Sequence, residues 1–216
     1  MQGPATRIKV CGVTRPEDAA SAVACGVHAL GLVFYAPSPR AVSVAQAAPI
    51  ARAVPPFVTL VALFVDAPRA AVEDVLAQVP IGLLQFHGDE TPAYCAAFRR
   101  PYLKAVRMRP GLDVAAALRP WAGATGILLD SYRAGQPGGT GERFDWGRVP
   151  SQRPRPLVLA GGLDADNVGD AIARLRPAAV DVSGGVESGP GRKDPARIGR
   201  FVRAVQRADA NNLERE

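Results

Sequence analysis

The residue best placed to do chemistry is Cys11, which ends a short apolar run in Lys9-Val10-Cys11-Gly12-Val13-Thr14. A thiolate acts as a base or a nucleophile. The other fate of a free cysteine is that of a small buried hydrophobe. Asp130 directly follows a second apolar run, Ile127-Leu128-Leu129. A carboxylic acid held protonated by an apolar wall donates to an oxygen, and otherwise such a residue caps a loop. Arg40, in Ser38-Pro39-Arg40, offers a planar fork for a carboxylate, or else lies on the surface. Gln85 and His87 share one run end, where His87 either positions a ligand or bonds to backbone. Asp66, Asp89, Arg107 and Asp181 stand at comparable places. No His, Asp or Glu cluster has metal-ligand spacing, so no metal is expected.

Two small-residue loops add a ligand class. Ala160-Gly161-Gly162-Leu163 and Val182-Ser183-Gly184-Gly185-Val186 each follow an apolar run. Without side chains in the way, backbone N–H groups approach an anion closely. Gly161, Gly162, Ser183 and Gly184 are therefore candidate phosphate contacts, although turns need glycine in any case.

Residues this far apart in sequence meet only if the elements that carry them form a ring. Apolar runs fall at 8–10, 29–34, 57–65, 82–86, 102–106, 126–129, 156–159 and 178–182. They are rich in Val, Leu and Ile and do not alternate cleanly, which suits strands buried on both faces. Helix-like segments lie between most of them. Thr14 and Ser43 are cap candidates for the first two, and Pro68 starts the third. Residues 131–150 read as loop, with one short helix near Asp145. Strands alternating with helices predict a parallel sheet. Eight such units predict a single-domain (β/α)8 TIM barrel, whose strand C-termini share one rim and whose seventh and eighth loops commonly hold phosphate. The rival is an open doubly wound sheet, but Cys11-Gly12 stands where its Gly-x-Gly-x-x-Gly turn would be.

The barrel is expected over residues 1–207, with 208–216 a frayed polar tail. His28, at the opposite rim, reads as structural, and Cys25 and Cys95 as core. A net charge of +6 attracts anions, but the arginines form no basic tract and no aromatic residues are interleaved with them, which argues against nucleic acid. No apolar run reaches membrane-spanning length. With no secretory leader in the first residues and three widely spaced cysteines, a cytoplasmic protein is expected. A monomer is favoured because no strand-like segment is left over for exchange, and a homodimer stays possible. The glycine-rich stretch 131–141 is a candidate lid.

These segments resemble the phosphoribosylanthranilate isomerase family of tryptophan biosynthesis. The likeness runs from about Ile8 to Val205 and includes Gln85-Phe86-His87-Gly88-Asp89-Glu90, Leu129-Asp130, Gly138-Gly139-Thr140-Gly141, Phe144-Asp145-Trp146 and Asp181-Val182-Ser183-Gly184-Gly185-Val186-Glu187. Gly184 stands where the family usually has a second serine, and Phe86 replaces a common leucine. The resemblance implies an intramolecular aldose–ketose isomerase without a cofactor. Its substrate would be N-(5-phosphoribosyl)anthranilate, rearranged to 1-(2-carboxyphenylamino)-1-deoxyribulose 5-phosphate. It further implies Asp130 as general acid, Cys11 as general base, Arg40 on the anthranilate carboxylate, the two glycine loops on phosphate, and Asp181 near the ribose. Two other readings are weighed beside it. One is a phosphate-ligand binding protein without turnover. The other is a barrel similar to indoleglycerol-phosphate synthase, which needs a lysine acid; Lys104 is its candidate.

Overall fold

A computed structural model of the chain describes residues 5–131 and 144–213. Strands β1 (Arg7–Cys11), β2 (Ala29–Val33), β3 (Thr59–Phe64), β4 (Leu83–Phe86), β5 (Tyr102–Arg107), β6 (Gly126–Asp130), β7 (Leu157–Leu159) and β8 (Ala179–Val182) form a closed parallel barrel, β8 pairing back to β1. The runs lack alternation because both strand faces are buried. Leu103, Ala105, Leu128, Val158 and Ala160 fill the barrel interior. Their strand neighbours, such as Ile127, Leu129 and Leu159, join the larger core beneath the helices.

Those helices are α1 (Pro16–Ala24), α2 (Val44–Arg52), α3 (Arg69–Gln78), α4 (Pro92–Ala96), α5 (Val114–Leu118), α6 (Val168–Leu175) and α7 (Pro195–Leu213). Ser43 caps α2 through a reciprocal pair with Gln46. Thr14 does not cap α1: the cap position is Arg15, and the Thr14 hydroxyl donates to Gly191 O at 2.6 Å. The short helix near Asp145 is one turn, Trp146–Arg148, capped by the Asp145 carboxylate. Most of stretch 131–141 lies outside the described residues, and the lid reading with it.

Two features depart from the sequence reading. A small hairpin of β9 (Glu187–Gly189) and β10 (Arg192–Lys193) follows β8. The proposed tail from 208 is instead helix: α7 continues to Leu213, with Ala208 buried. The Asp209 carboxylate accepts from Thr6 N at 2.9 Å and from Thr6 Oγ1 at 2.6 Å. Those bonds tie the last turns of α7 to the residue before β1, so the chain is held against the barrel beyond 207 and is not a frayed tail there. His28 is structural, its Nδ1 accepting from Ile8 N at 3.1 Å. Cys95 is fully buried and Cys25 half-buried.

Candidate active site

The strand C-termini surround a cavity of about 390 Å³. Cys11, Gln85, His87, Asp130 and Asp181 face it from β1, β4, β6 and β8 or the residues just beyond. Arg40 enters from the loop after β2, and Gly161, Gly162, Ser183 and Gly184 close one side. Every candidate acid, base, substrate and phosphate residue is thus brought to one mouth. Asp66, Asp89 and Arg107 are not. They knit the rim together, Asp89 N donating to Asp66 Oδ1 at 2.7 Å and Arg107 reaching Asp89 at 3.3 Å.

Asp130 is 5% exposed at the end of β6. Its Oδ1 accepts from Ser131 N at 2.8 Å, which fixes the carboxyl at the mouth. Its Oδ2 lies 3.2 Å from His87 Nε2, close but without hydrogen-bond alignment. Gln85 Nε2 sits 3.2 Å from His87 Nδ1. If the amide donates there, the ring proton rests on Nε2, facing Asp130. His87 therefore addresses the acid rather than backbone. Gly161 adopts φ +84, and a Cβ there would press on Ser131 N and stand 3.0 Å from Asp130 Oδ1. Only glycine leaves the carboxyl room.

Across the mouth Cys11 is 7% exposed. Burial pushes its thiol above the ordinary value and Asp181 adds to this, while Lys9 and more weakly Lys193 oppose it. Lys9 Nζ pairs with Asp181 Oδ2 at 2.8 Å. Burial also raises the Asp181 carboxyl against the pull of Lys9. The lysine itself is held charged: burial works against it, but Asp181 and Cys11 outweigh burial and raise it.

Arg40 already grips a carboxylate. Its Nε and Nη2 donate to Glu187 Oε1 and Oε2 at 2.8 and 2.7 Å. Glu187 also accepts from Lys193 Nζ at 2.7 Å. Burial alone would raise this carboxyl, but the two cations hold it below the ordinary range. The aliphatic stem of Arg40 lies over Gly12 at φ +75, where a Cβ would come 2.5 Å from Arg40 Cδ. The guanidinium is thereby aimed along the mouth, with Nη1 in neither of these bonds.

The glycine loops pack on each other, a Cβ on Gly185 running into Leu163 O. Among the described residues, the N–H groups of Gly162 and Gly184 donate to no protein acceptor. Ser183 Oγ donates to Cys11 O at 3.0 Å, linking the anion side to the base. Such amides in a basic mouth suit a phosphate.

A family model for N-(5'-phosphoribosyl)anthranilate isomerase matches residues 8–204. The chain belongs to the phosphoribosylanthranilate isomerase family. The family's enzyme from Pseudomonas putida strain W619 is 60% identical over 202 residues, covering 94% of this chain and 98% of its own. A solved phosphoribosylanthranilate isomerase in complex with reduced 1-(o-carboxyphenylamino)-1-deoxyribulose 5-phosphate is 37% identical, with TM-score 0.80 over 93% of this chain and 98% of its own. Monomers generated from the dimeric phosphoribosylanthranilate isomerase of Thermotoga maritima are 36% identical, with TM-score 0.83 over 93% of this chain and 98% of theirs.

For the lysine-acid alternative, Lys104 faces the wrong way. It lies on the outer face of β5, donating to Gly88 O and Glu90 Oε2, each at 2.6 Å, beneath the Trp121 ring. Sequence reasoning left Lys9, Glu187 and Lys193 without roles. Lys9 had a readable signal, a charge two residues before Cys11 and hence on the same strand face. Lys193 had none, because the hairpin carrying it was not foreseen.

Proposed function

We propose that Cys11 and Asp130 are the base and acid of the family's isomerisation, acting on N-(5-phosphoribosyl)anthranilate. The observation that carries this is their convergence, from β1 and β6, on one cavity beside two glycine loops. Asp130 protonates the furanose ring oxygen as the anthranilate nitrogen pushes its lone pair to C1′, opening the sugar to a Schiff base. The iminium acidifies C2′. Cys11, as thiolate, removes that proton to give the enolamine, which becomes the ketone on taking a proton at C1′ and losing one from the 2′-oxygen. Arg40 presents its Nη1 side to the anthranilate carboxylate, His87 and Gln85 orient the acid, and Asp181 meets the ribose. The N–H groups around Gly161, Gly162, Ser183 and Gly184 take the phosphate. Gly184 supplies an amide there but no hydroxyl.

The test is direct. Substrate is supplied to the pure protein and the loss of its anthranilate-type fluorescence is followed. Turnover far above that of the Cys11→Ser/Asp130→Asn double variant supports the reading. Equal rates for the two proteins, with tight binding of the reduced product analogue, favour a binding protein instead.

Proton transfer asks for no cofactor. Every candidate acid, base, substrate and phosphate residue comes from this one chain, so a monomer suffices for turnover, and specific activity should not change on dilution. Phe57, fully exposed at φ +71, is a large apolar side chain left in solvent, at the floor end of the barrel away from the mouth. Three free cysteines suit a reducing cytoplasm, and among the described residues no helix is long and apolar enough to cross a membrane.

A further inference from the structure

Lys9 is a charged side chain in the barrel interior, 4% exposed, near a layer otherwise filled by Leu103, Ala105, Leu128 and Val158. Stability does not call for it. A buried ion pair offsets its desolvation only when all its polar atoms are satisfied, and an apolar filling is often as good. This pair is not fully satisfied: Asp181 Oδ1 is buried without a hydrogen-bond partner among the described residues. What the pair does have is a neighbour. Lys9 and Cys11 are two apart on β1 and share its inner face. Gly31 is the register partner of Cys11 on β2. A Cβ on Gly31 would lie 2.8 Å from Cys11 Sγ and 3.1 Å from Lys9 Nζ. Sulfur and ammonium thus crowd the same small space, which a glycine leaves open.

We propose that Lys9 is the positioning residue for the base: its ammonium, anchored by Asp181, faces Cys11 from inside the barrel and holds the thiolate. Lys9 is not among the residues that line the mouth, whereas Cys11 and Asp181 are. It therefore acts through Cys11 and not on substrate. The inference rests on Cys11 being the base.

The electrostatics agree with the geometry. The charged and titratable groups near the thiol are Lys9 on β1, Asp181 on β8, Lys193 on β10, and Tyr35 and Arg40 after β2. Asp130 on β6 and His87 on β4 share the same mouth, and β3 offers only apolar Leu63 and Val65. Burial and Asp181 favour the thiol, and Lys9 is the largest influence in the other direction. The thiol proton leaves to solvent through the mouth; Cys11 Sγ is then free to form S–H as the C2′–H bond breaks. Removing the ammonium leaves fewer molecules as thiolate at any given pH. The rising, acidic limb of activity must then move to higher pH.

Lys9→Met keeps the length of the side chain and removes the charge. It is expected to move both the thiolate absorbance titration, read against Cys11→Ser, and the acidic limb of kcat/KM upward by about one pH unit or more. At neutral pH kcat then falls about tenfold for each pH unit that the limb moves, while KM changes little. Lys9→Arg should restore part of the rate. Gly31→Ala, which forces sulfur and ammonium apart, should move the same limb in the same direction, and serves if Lys9→Met does not fold. A folded Lys9→Met or Gly31→Ala protein whose limb and thiolate titration both stay at the wild-type pH overturns the proposal. Cys11→Ser separates the two levels. If it still turns over substrate, the base assignment itself fails; if it is inactive while the Lys9 limb is unmoved, only the role of Lys9 fails.

Discussion

Two buried lysine–carboxylate pairs sit on strands of the same barrel and do different work. Lys104–Glu90 faces the helix layer, and its atoms are well satisfied. Lys104 Nζ meets Gly88 O and Glu90 Oε2, while Glu90 Oε1 accepts from Asp66 N at 2.9 Å and Gly88 N at 3.1 Å. Lys9–Asp181 faces the barrel axis, leaves one carboxylate oxygen without a donor among the described residues and shares the space over Gly31 with a thiol. Strand parity decides which pair is a staple and which belongs to the chemistry. In a closed barrel, alternate residues point to the axis or to the helices.

This contrast is open to attack from both sides. The largest effect belongs to the inner face. Asp130→Asn and Cys11→Ser should each lower kcat by at least about 10²–10⁴-fold while melting close to wild type. A matching loss of melting temperature would make them structural instead. On the outer face, Lys104→Met strands the Glu90 carboxylate. Urea unfolding should report a loss of about 3–5 kcal/mol, with turnover per folded molecule unchanged. A catalytic defect without a stability loss would erase the distinction.

Acid sharpens the comparison for Asp181, which lines the mouth, and for Glu187, which holds Arg40 beside it. Glu187 is held below its ordinary 4.5, so its contribution to stability is present above that pH and is lost as pH falls through its folded value. Asp181 is raised above its ordinary 3.8, so its contribution is full below 3.8 and declines as pH rises through the folded value. Melting temperature against pH should therefore fall less steeply on the acid side for Glu187→Gln than for wild type. For Asp181→Asn it should fall more steeply. The smallest effect is remote from the site. Asp209→Ala should lower stability by about 1–3 kcal/mol, since it strips the acceptor from Thr6 N and Oγ1, and should leave KM unaltered.

Much of the architecture was legible because the strand runs are apolar on both sides and are bounded by turn residues. All eight strands fall at, or within one or two residues of, the runs at 8–10 through 178–182. The candidate residues that line the mouth were legible for the same reason, since run ends in a closed barrel, and the loops that follow them, lie on one rim. The hairpin Glu187–Lys193 was not: its strands are short and polar, with no period to read. Lys193, and the grip of Glu187 on Arg40, went unseen with it. The end of α7 was hidden differently. Its last turns look solvated, and the burial of Ala208 with the Asp209–Thr6 bonds, across nearly the whole chain, reveals that they are held. Lys104 misled because sequence alone fixes which residues share a strand face but not which face is the inner one.

Crystals of this protein with the reduced product analogue would test the acid–base pair most directly. The account predicts Cys11 Sγ about 3–3.5 Å from C2′ and the Asp130 carboxyl within hydrogen-bond reach of the oxygen at C4′, with the phosphate on the Gly162 and Gly184 amides. An analogue bound with its C2′ turned away from the sulfur, or with the carboxyl out of reach of that oxygen, would contradict it.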